Sequence, residues 1–523
     1  MSGKNRNDKN SFPKEAIRIL PTVIRACPIY LFVICLNGLM LGIFLALNIV
    51  ALDGLFHTVE EYVKGTVSLL PVVWALLFVL LCVAANPVLN GINTVLSFDF
   101  ERKVSGKLGK VFHDKCGEML PADFEDASFL EDVKKAKEGV ENSVLLLSGI
   151  INALFVYVPY FVVVGIYLYR LKPALLAVIG FLAVPNLLSQ MQKGRLYAKL
   201  EDRTAPIKRK YEHYEECMIS REYFKETRLL GAFGYFLRLY GDTLAALNLE
   251  TVRTQKKSVR IELVFRLLSL AGYLLTLFLL VKYLLDGSVS IANFGAVLAS
   301  LDLIMVMLKE LICNVIGRMM KKMGTVANLV KFLDRGESRG RDIQMEEAPE
   351  IRLDHISFAY PGCREKAIAD LSLTVRSGET VAVVGQNGAG KSTLVKLLSG
   401  LYLPDTGRVL IDGQDTKTAD RGSLMGKISG VFQKFQRYAM PLNENVAISD
   451  MSCEPKETRI AASLEKADLT LSREVFPQGG KTMLSREFDG VDLSGGYWQR
   501  VAIARGFYKR HHMILLDEPT AAI

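Results

Sequence analysis

The sequence lacks the paired cysteines that would indicate a metal site or a disulfide framework. Its eight cysteines are scattered along 523 residues, and none forms a C-x-x-C pair or a zinc-ligand spacing. Three of them stand inside apolar runs, where cysteine behaves as a small hydrophobic residue. The pattern therefore points away from a zinc protein and from a small disulfide-stabilised fold.

A cleavable export signal is also missing from the N-terminal region. The chain begins polar and basic and then enters an apolar run over residues 27–52. This run is longer than the apolar core of a signal peptide, which is about 7–15 residues, and it does not end in small residues suited to cleavage. We therefore expect it to be retained as a membrane span.

The composition indicates two kinds of domain in one chain. Hydrophobic residues make up 50% of the sequence and charged residues 23%. Such a chain is too long for one core, and the mixture is typical of a membrane block joined to a soluble block. The net charge of +9 fits cytoplasmic Lys and Arg that set membrane topology better than nucleic-acid binding. No nucleic-acid partner is predicted.

Six apolar stretches are candidates for the roughly 20-residue spans that cross a bilayer. They cover residues 27–52, 66–89, 144–169, 174–189, 263–285 and 291–308. The fourth is short and contains Pro185. One such run could be a buried core helix, but six in succession favour a multi-pass protein in a lipid bilayer.

The links between these stretches alternate in length and charge. Those after the second and fourth, 97–143 and 190–262, are long and charged, whereas the others are short. With the basic N-terminus in the cytoplasm, both long links also lie in the cytoplasm, where Lys and Arg are enriched in membrane proteins. The expected location is the cell membrane. Residues 123–137 and 221–240 within them show helical spacing of apolar residues, so we expect the spans to continue as long helices.

A polar stretch then marks a domain boundary. The predicted organisation is an N-terminal cytoplasmic segment 1–26, a transmembrane domain 27–333, a linker 334–349 and a soluble domain 350–523.

The soluble domain contains a glycine-rich phosphate loop. An apolar stretch, 379–384, is predicted to be a β-strand that leads into a G-x-x-x-x-G-K-S motif and then a helix. Such a loop turns backbone N–H groups towards a polyanion, and the helix N-terminus adds a positive dipole end. The predicted nucleotide-contacting residues are Gly385, Gln386, Asn387, Gly388, Ala389, Gly390, Lys391, Ser392 and Thr393. Lys391 is expected to reach the terminal phosphates of ATP, and the Ser392 hydroxyl to ligate Mg²⁺.

A second apolar run, 513–516, ends in Asp517 and Glu518. One carboxylate at such a strand end can hold Mg²⁺ while its neighbour polarises a water molecule. Asp517 is assigned the metal role and Glu518 the role of general base. The alternative is a buried strand that ends in a solvated acidic turn.

Between these motifs lies Leu493-Ser494-Gly495-Gly496. The order of phosphate loop, LSGG and LLDEP resembles the ATP-binding cassette of ABC transporters. Six spans ahead of one cassette resemble an exporter-type half-transporter, and LSREFDGVDLSGG and VFQKFQRYAMPLNENV resemble bacterial exporters of lantibiotic-like peptides and multidrug half-transporters. The implied fold is a multi-domain membrane protein, with an all-α six-helix transmembrane domain and an α/β phosphate-loop cassette.

The resemblance also implies roles for individual residues. Tyr360 matches the aromatic residue that stacks on adenine, and Gln433 matches the glutamine that contacts Mg²⁺ and senses the γ-phosphate. Ser494, Gly495 and Gly496 match the signature that contacts ATP held by the opposite subunit, so a second half-transporter is implied. The alternatives are an ordinary aromatic residue at a strand end for Tyr360 and an ordinary polar loop residue for Gln433.

Two features depart from the family's pattern. Tyr497 stands where the family usually has glutamine. The chain also stops at Ile523, where the family continues with an aspartate-bearing loop, a strand and a switch histidine. We therefore expect a C-terminally incomplete cassette, from a truncated sequence rather than a natural end.

The expected function is ATP-driven export by a homodimer or heterodimer, with a peptide or an amphiphilic, drug-like molecule as cargo. The alternative is the ATP-binding regulatory half of a heterodimer, with little hydrolysis of its own. Asn37, Asn48 and Asp302 are polar residues inside spans. They are candidates for a cargo cavity, where Asp302 would favour a cationic cargo, or for interhelical hydrogen bonds.

Overall fold

The computed structural model describes residues 21, 24–25, 27–336 and 340–519. Most of the predicted N-terminal segment 1–26, part of the linker 334–349 and the end at Ile523 lie outside these residues. The chain folds as two compact units, which we call the membrane unit (Met1–His113 and Val133–Asp334) and the cassette unit (Asp114–Asp132 and Arg335–Ile523). Residues 114–132, assigned above to the transmembrane domain, thus belong to the cassette unit.

Long helices dominate the first part of the chain. Their bounds are α1 Pro28–Val63, α2 Leu69–Gly117, α3 Ala127–Asn152, α4 Val158–Leu171, α5 Pro173–Ile219, α6 Phe224–Leu229, α7 Phe233–Leu285, α8 Ile291–Lys309 and α9 Gly317–Leu333. Two π-helical segments, Ala153–Tyr157 and Glu310–Ile316, join α3 to α4 and α8 to α9.

Six helical stretches in the described residues have the length and apolar composition needed to cross a membrane. The six predicted spans are therefore confirmed, although the helices run well beyond the apolar stretches. The helix of the fourth span, α5, continues through Pro185 and Pro206. Proline is tolerated in membrane helices because neighbouring groups can satisfy the freed backbone carbonyl.

The core of the membrane unit is formed where the helices converge. Ala46 of α1, Tyr160 of α4, Leu280 of α7 and Leu301 of α8 are at most 1% exposed within it. α1 also approaches the first π-helical segment closely, because a Cβ on Gly42 would lie 2.3 Å from the carbonyl oxygen of Val156. Small residues permit such backbone contact between membrane helices.

The helices predicted in the two long links are only partly confirmed. A 3₁₀ turn, Pro121–Glu125, precedes α3, so the helix predicted from residue 123 begins at Ala127. The single helix predicted over 221–240 is wrong, since α6 and α7 are separated by a turn. Gly231 ends α6 with a φ of +63°, a left-handed conformation that glycine adopts readily.

Two small sheets organise the rest of the cassette unit. The strands are β1 Ile351–Phe358, β2 Ile368–Val375, β3 Thr406–Ile411, β4 Gln414–Asp415, β5 Ile428–Val431 and β6 Met513–Leu516. β1 to β4 form an antiparallel sheet in the order β2-β1-β3-β4, and β5 pairs with β6 in parallel. The helices are α10 Lys391–Leu398, α11 Arg421–Lys427, α12 Leu442–Ala447, α13 Glu457–Lys466 and α14 Gly495–Tyr508. An α/β cassette after a helical membrane domain confirms the predicted fold class.

The strand predicted at 379–384 does not form. Residues 380–384 make no backbone hydrogen bonds to a neighbouring strand among the described residues, and Val384 is 90% exposed. A strand needs a hydrogen-bonded neighbour as well as apolar side chains. The segment is therefore an extended connection that leads into the phosphate loop.

The polar residues inside the spans have distinct surroundings. Asn37 is buried, and its Nδ2 donates to the carbonyl oxygen of Leu89 at 3.1 Å, which is the interhelical hydrogen bond offered as one alternative. The Oδ1 of Asn48 is buried without a partner among the described residues. Asp302 is exposed and accepts from the hydroxyl of Tyr273 at 3.5 Å.

Candidate nucleotide-binding site

The phosphate loop leads directly into helix α10. Gly388 and Gly390 have φ values of +84° and +85°, a left-handed region that L side chains rarely adopt. A Cβ on Gly390 would also lie 2.6 Å from the carbonyl oxygen of Ala367, so only glycine fits. The Nζ of Lys391 donates to the carbonyl oxygens of Gly385 at 2.8 Å and Gln386 at 2.9 Å. The loop thus holds an ammonium group at the N-terminus of a helix, where an anion is favoured.

The two predicted magnesium ligands lie next to each other. The Oγ of Ser392 donates to Oδ1 of Asp517 at 3.1 Å, although the two residues are far apart in sequence. Asp517 is 7% exposed and follows β6, and its N–H donates to the carbonyl oxygen of Val431 at the end of β5. A hydroxyl beside a buried carboxylate is an oxygen donor set that suits Mg²⁺.

The second pair of predicted residues also meets at this edge. Gln433 follows β5 and Glu518 follows β6, and the Nε2 of Gln433 donates to Oε2 of Glu518 at 2.7 Å. Their meeting follows from the parallel pairing of β5 with β6, which brings the carboxyl ends of both strands to one edge. Glu518 adopts a φ of +48°, which is uncommon for a non-glycine residue.

Tyr360 lies in an aromatic group beside helix α10. Its hydroxyl is 3.1 Å from Oγ1 of Thr393, and its ring packs edge-on against Phe358 and Tyr402. The Nζ of Lys396 lies 5.3 Å from the ring centroid of Tyr360 and 5.0 Å from that of Tyr402. The predicted adenine-stacking residue is therefore linked directly to the helix that follows the phosphate loop.

Sequence reasoning missed the contact between this group and residues 114–132. The Nζ of Lys396 lies 3.4 Å from Oε1 of Glu125, and Ala122 packs against the same apolar cluster. Burial, together with a hydrogen bond to Glu125, raises the pKa of Tyr402 well above its usual range. No sequence motif predicts this contact, because Glu125 and Lys396 lie 271 residues apart.

The signature segment begins a helix of its own, α14. Ser494 caps α14, with its Oγ accepting from the N–H of Tyr497 at 3.5 Å, and Ser494 and Gly495 are exposed. In the part of the chain that the structure describes, no hydrogen bond joins Ser494, Gly495 or Gly496 to residues 385–392. Tyr497 packs edge-on against Phe476, so its ring belongs to the core beside α14.

Gln499 is a further residue that the sequence reasoning missed. Its side chain is 3% exposed, and its Nε2 donates to the carbonyl oxygen of Pro519 at 2.7 Å. This bond fixes the backbone that follows Glu518. The signal in the sequence was weak, because a glutamine three residues after the signature glycine pair has no spacing that indicates a strand-end contact.

A buried carboxylate stabilises the region around α14. Asp450 accepts hydrogen bonds from Arg510 at 2.9 Å and Arg459 at 2.8 Å, and its side chain is 8% exposed. The hydrogen bond from Arg510, with further ones from Ser452 and Arg459, holds the pKa of Asp450 well below its usual range. The carboxylate is therefore charged in the folded cassette.

Comparison with known proteins agrees with this geometry. Residues 368–521 match the family described as ABC transporter. Over its whole length the chain has the fold of a bacterial Atm1-family ABC exporter solved with ATP bound, with a TM-score of 0.76, 19% identity, and coverage of 99% of this chain and 87% of that one. The chain therefore has an ABC transporter cassette and the fold of an exporter half, with six apolar helices ahead of the cassette.

Two curated relatives are bacterial transport ATP-binding proteins. The chain is 27% identical over 307 residues to the subtilin transport ATP-binding protein SpaT of Bacillus subtilis, which covers 57% of this chain and 49% of that protein. It is 28% identical over 310 residues to the nisin transport ATP-binding protein NisT of Lactococcus lactis, covering 57% and 51%. The chain thus spans about half the length of these relatives. These similarities agree with the motif-based resemblance to ABC exporters.

Proposed function

We propose that the protein is an ATP-driven exporter of a peptide or peptide-like amphiphile across the cytoplasmic membrane, acting as one half of a dimer. The observation that carries the proposal is the meeting of Lys391, Ser392, Asp517 and Glu518 at one end of the β5–β6 sheet, in a chain with six helices long and apolar enough to cross a membrane. A phosphate-binding loop beside a carboxylate pair is the arrangement that phosphoryl transfer requires.

Each residue at this edge has a distinct proposed role. Lys391 and the backbone N–H groups of residues 385–392 bind the phosphates, and Tyr360 contacts the base. Ser392, Asp517 and Gln433 would hold Mg²⁺, which would neutralise phosphate charge when bound. Glu518 accepts a proton from the attacking water, as a general base does. The hydrogen bond from Gln433 orients the Glu518 carboxylate for this task.

The dimer is proposed because the signature residues do not hydrogen-bond to the phosphate loop of their own chain in the described structure. Ser494 and Gly495 are exposed, and among the described residues no hydrogen bond joins either of them to residues 385–392 of the same chain. Two cassettes in a head-to-tail arrangement would bring Ser494 of each to the phosphate loop of the other, with two-fold symmetry if the halves are identical. ATP bound between them would favour the closed state because it contacts both halves only there.

The cargo class is inferred from relatives that transport subtilin and nisin by their printed names. Cytoplasmic placement of the cassette and of the N-terminus follows from the basic loops.

Reconstitution into lipid vesicles tests the proposal. With the cassette outside, MgATP should be hydrolysed and should drive uptake of a fluorescent lantibiotic precursor, and Lys391→Ala should abolish both. Lys417→Ala, which removes an exposed cassette lysine away from the phosphate loop, should leave both intact. ATP binding without hydrolysis would instead favour the regulatory half of a heterodimer, and absence of MgATP binding would refute the proposal.

A further inference from the structure

A polar cavity of about 350 Å³ lies within the membrane unit. Its polar lining comprises Asn93 and Glu101 of α2, Asn152 of α3, Asn314 of the second π-helical segment, and Arg318 and Lys322 of α9. The cavity adjoins the point where the predicted apolar stretches give way to charged helical extensions.

Helical spacing explains why these polar groups share one cavity. Asn314, Arg318 and Lys322 follow one another at intervals of four residues, so they lie on one side of their helix. Asn93 and Glu101 are eight residues apart on α2 and share a face in the same way. Two helical walls thus present polar stripes to the same space.

Irregular helix geometry coincides with the cavity. Asn152 immediately precedes the first π-helical segment, and Asn314 lies inside the second. π-helical turns are rare and occur frequently at functional sites, because the extra residue redirects the side chains around it. The second irregular segment therefore forms part of the cavity wall, and the first begins next to a lining residue.

The cationic groups of the cavity are not neutralised by ion pairs. Within the described residues, the Nε of Arg318 donates to the backbone carbonyl of Asn314, and the Nζ of Lys322 donates to Oδ1 of Asn142 at 2.9 Å. Both partners are uncharged. The described lining side chains carry two cations and one anion, Glu101, while Glu141 acts on Lys322 from outside the lining. The cavity therefore favours a ligand with one negative charge.

One buried hydrogen-bond acceptor of the cavity has no partner among the described residues. The Oδ1 of Asn93 is buried and has no partner among the described residues, while its Nδ2 donates to Oδ1 of Asn152 at 3.4 Å. A buried acceptor without a donor is unfavourable, so an N–H group of a ligand would be stabilised there. The Nδ2 of Asn314 already donates to Oε2 of Glu310 at 2.5 Å, so the open acceptor for a peptide N–H group is the Oδ1 of Asn93.

We propose that this cavity binds the carboxylate end of the cargo, with Arg318 and Lys322 contacting the carboxylate and Asn93 accepting an amide N–H. The terminal nitrogens of the Arg318 guanidinium can donate in parallel to both oxygens of a carboxylate. This inference rests on the proposed export function and specifies its substrate class as a peptide-like monoanion. Asp302, which suggested a cationic cargo, does not line the cavity.

Equilibrium binding without nucleotide tests the assignment independently of ATP hydrolysis. The probe is radiolabelled N-octanoyl-glycyl-leucine with a free carboxylate, and its matched partner is the C-terminal amide. The protein is held in nanodiscs of phosphatidylcholine. The carboxylate probe should bind about tenfold more tightly than the amide, because a charge-assisted hydrogen bond is lost in the amide. Equal affinity of the two probes would overturn the proposal, whatever the protein does with ATP.

Variants locate the site. Arg318→Gln and Lys322→Gln should each weaken binding of the carboxylate probe about tenfold and leave binding of the amide unchanged. Lys331→Gln, an exposed position later on α9, removes the same charge outside the cavity and should have no effect. An equal loss in Lys331→Gln would contradict the assignment.

Two further arms complete the test. If a glutamine variant fails to fold, as judged by size-exclusion chromatography, the comparison of the two probes on the unmodified protein still decides the outcome. Phosphatidylglycerol is then added to the nanodiscs to compare a lipid headgroup with cargo. Retained probe binding supports a cargo site, whereas displacement of the probe by the lipid would overturn it.

Discussion

Glu518 ends β6 with its carboxylate 2.7 Å from the amide nitrogen of Gln433, and glutamine would occupy the same volume without the charge. The amide oxygen of Glu518→Gln can still accept from Gln433, so the contact should lose no more than about 1 kcal/mol. Loss of the proposed general base should have a larger effect, because general-base catalysis contributes about 10²–10⁴-fold to a rate. That range corresponds to roughly 3–5 kcal/mol of activation free energy.

Because these two energies differ, the substitution should affect ATP turnover far more than ATP binding. In Glu518→Gln, phosphate release from MgATP should fall about 100- to 10,000-fold, while the affinity for MgATP changes less than about fivefold. Both are measured on the protein in lipid vesicles, with a coupled phosphate assay and with labelled ATP. Glu474→Gln, at an exposed position of the cassette, is the control and should retain turnover. Unchanged phosphate release in Glu518→Gln would refute the assignment of the base.

Three further predictions concern other parts of the chain. Tyr360→Leu should weaken ATP binding about tenfold or more through loss of stacking, whereas Tyr360→Phe should not, as measured by fluorescence anisotropy with labelled ATP. Asp450→Asn leaves Arg459 without its buried carboxylate and should destabilise the cassette by about 3 kcal/mol, which lowers the melting temperature by roughly 6–12 °C near neutral pH. Gly139→Ala would place a Cβ 2.4 Å from the carbonyl oxygen of Thr325 and should lower the thermal stability of the solubilised protein, whereas Gly106→Ala, with open space around it, should not.

The sign of the pH dependence follows from the pKa of Asp450. Because this pKa is lowered in the folded cassette from its ordinary value of 3.8, the carboxylate stabilises the fold at any pH above that value. The stabilisation is lost as the pH falls through the folded-state pKa. Asp450→Asn should therefore lower the melting temperature near neutral pH and make little difference in strong acid. An equal effect at both pH values would contradict the ion-pair explanation.

Local patterns were sufficient to predict the spans and the phosphate loop. Each span is a continuous apolar stretch, and the bilayer as solvent leaves little choice of structure for it. The loop at 385–392 depends on backbone conformations that its own glycines permit, such as the positive φ of Gly390. The meeting of Ser392 with Asp517 also follows from the motif order, once β5 and β6 pair in parallel.

The features that the sequence did not predict depend on contacts with distant residues or on the conformation of a single residue. The apolar stretch 379–384 resembles a strand, but its state depends on a hydrogen-bonding neighbour that no local pattern reveals. The helix predicted over 221–240 begins only at Phe224 and is interrupted after Leu229, where Gly231 has a left-handed conformation. The contact of Lys396 with Glu125 joins two remote segments, and the polar cavity requires three helices to be packed before it exists. Sequence periodicity describes one element at a time and cannot place such contacts.

Binding of MgATP to the Lys391→Ala protein tests the nucleotide site most directly. Lys391 is the cation held over the phosphate loop, so its loss should weaken MgATP binding by about tenfold or more. Lys417→Ala, the matched cassette control, should bind as the unmodified protein does. Equilibrium dialysis with radiolabelled ATP, with and without Mg²⁺, makes the measurement. Equal affinity in all three proteins would contradict the site described here.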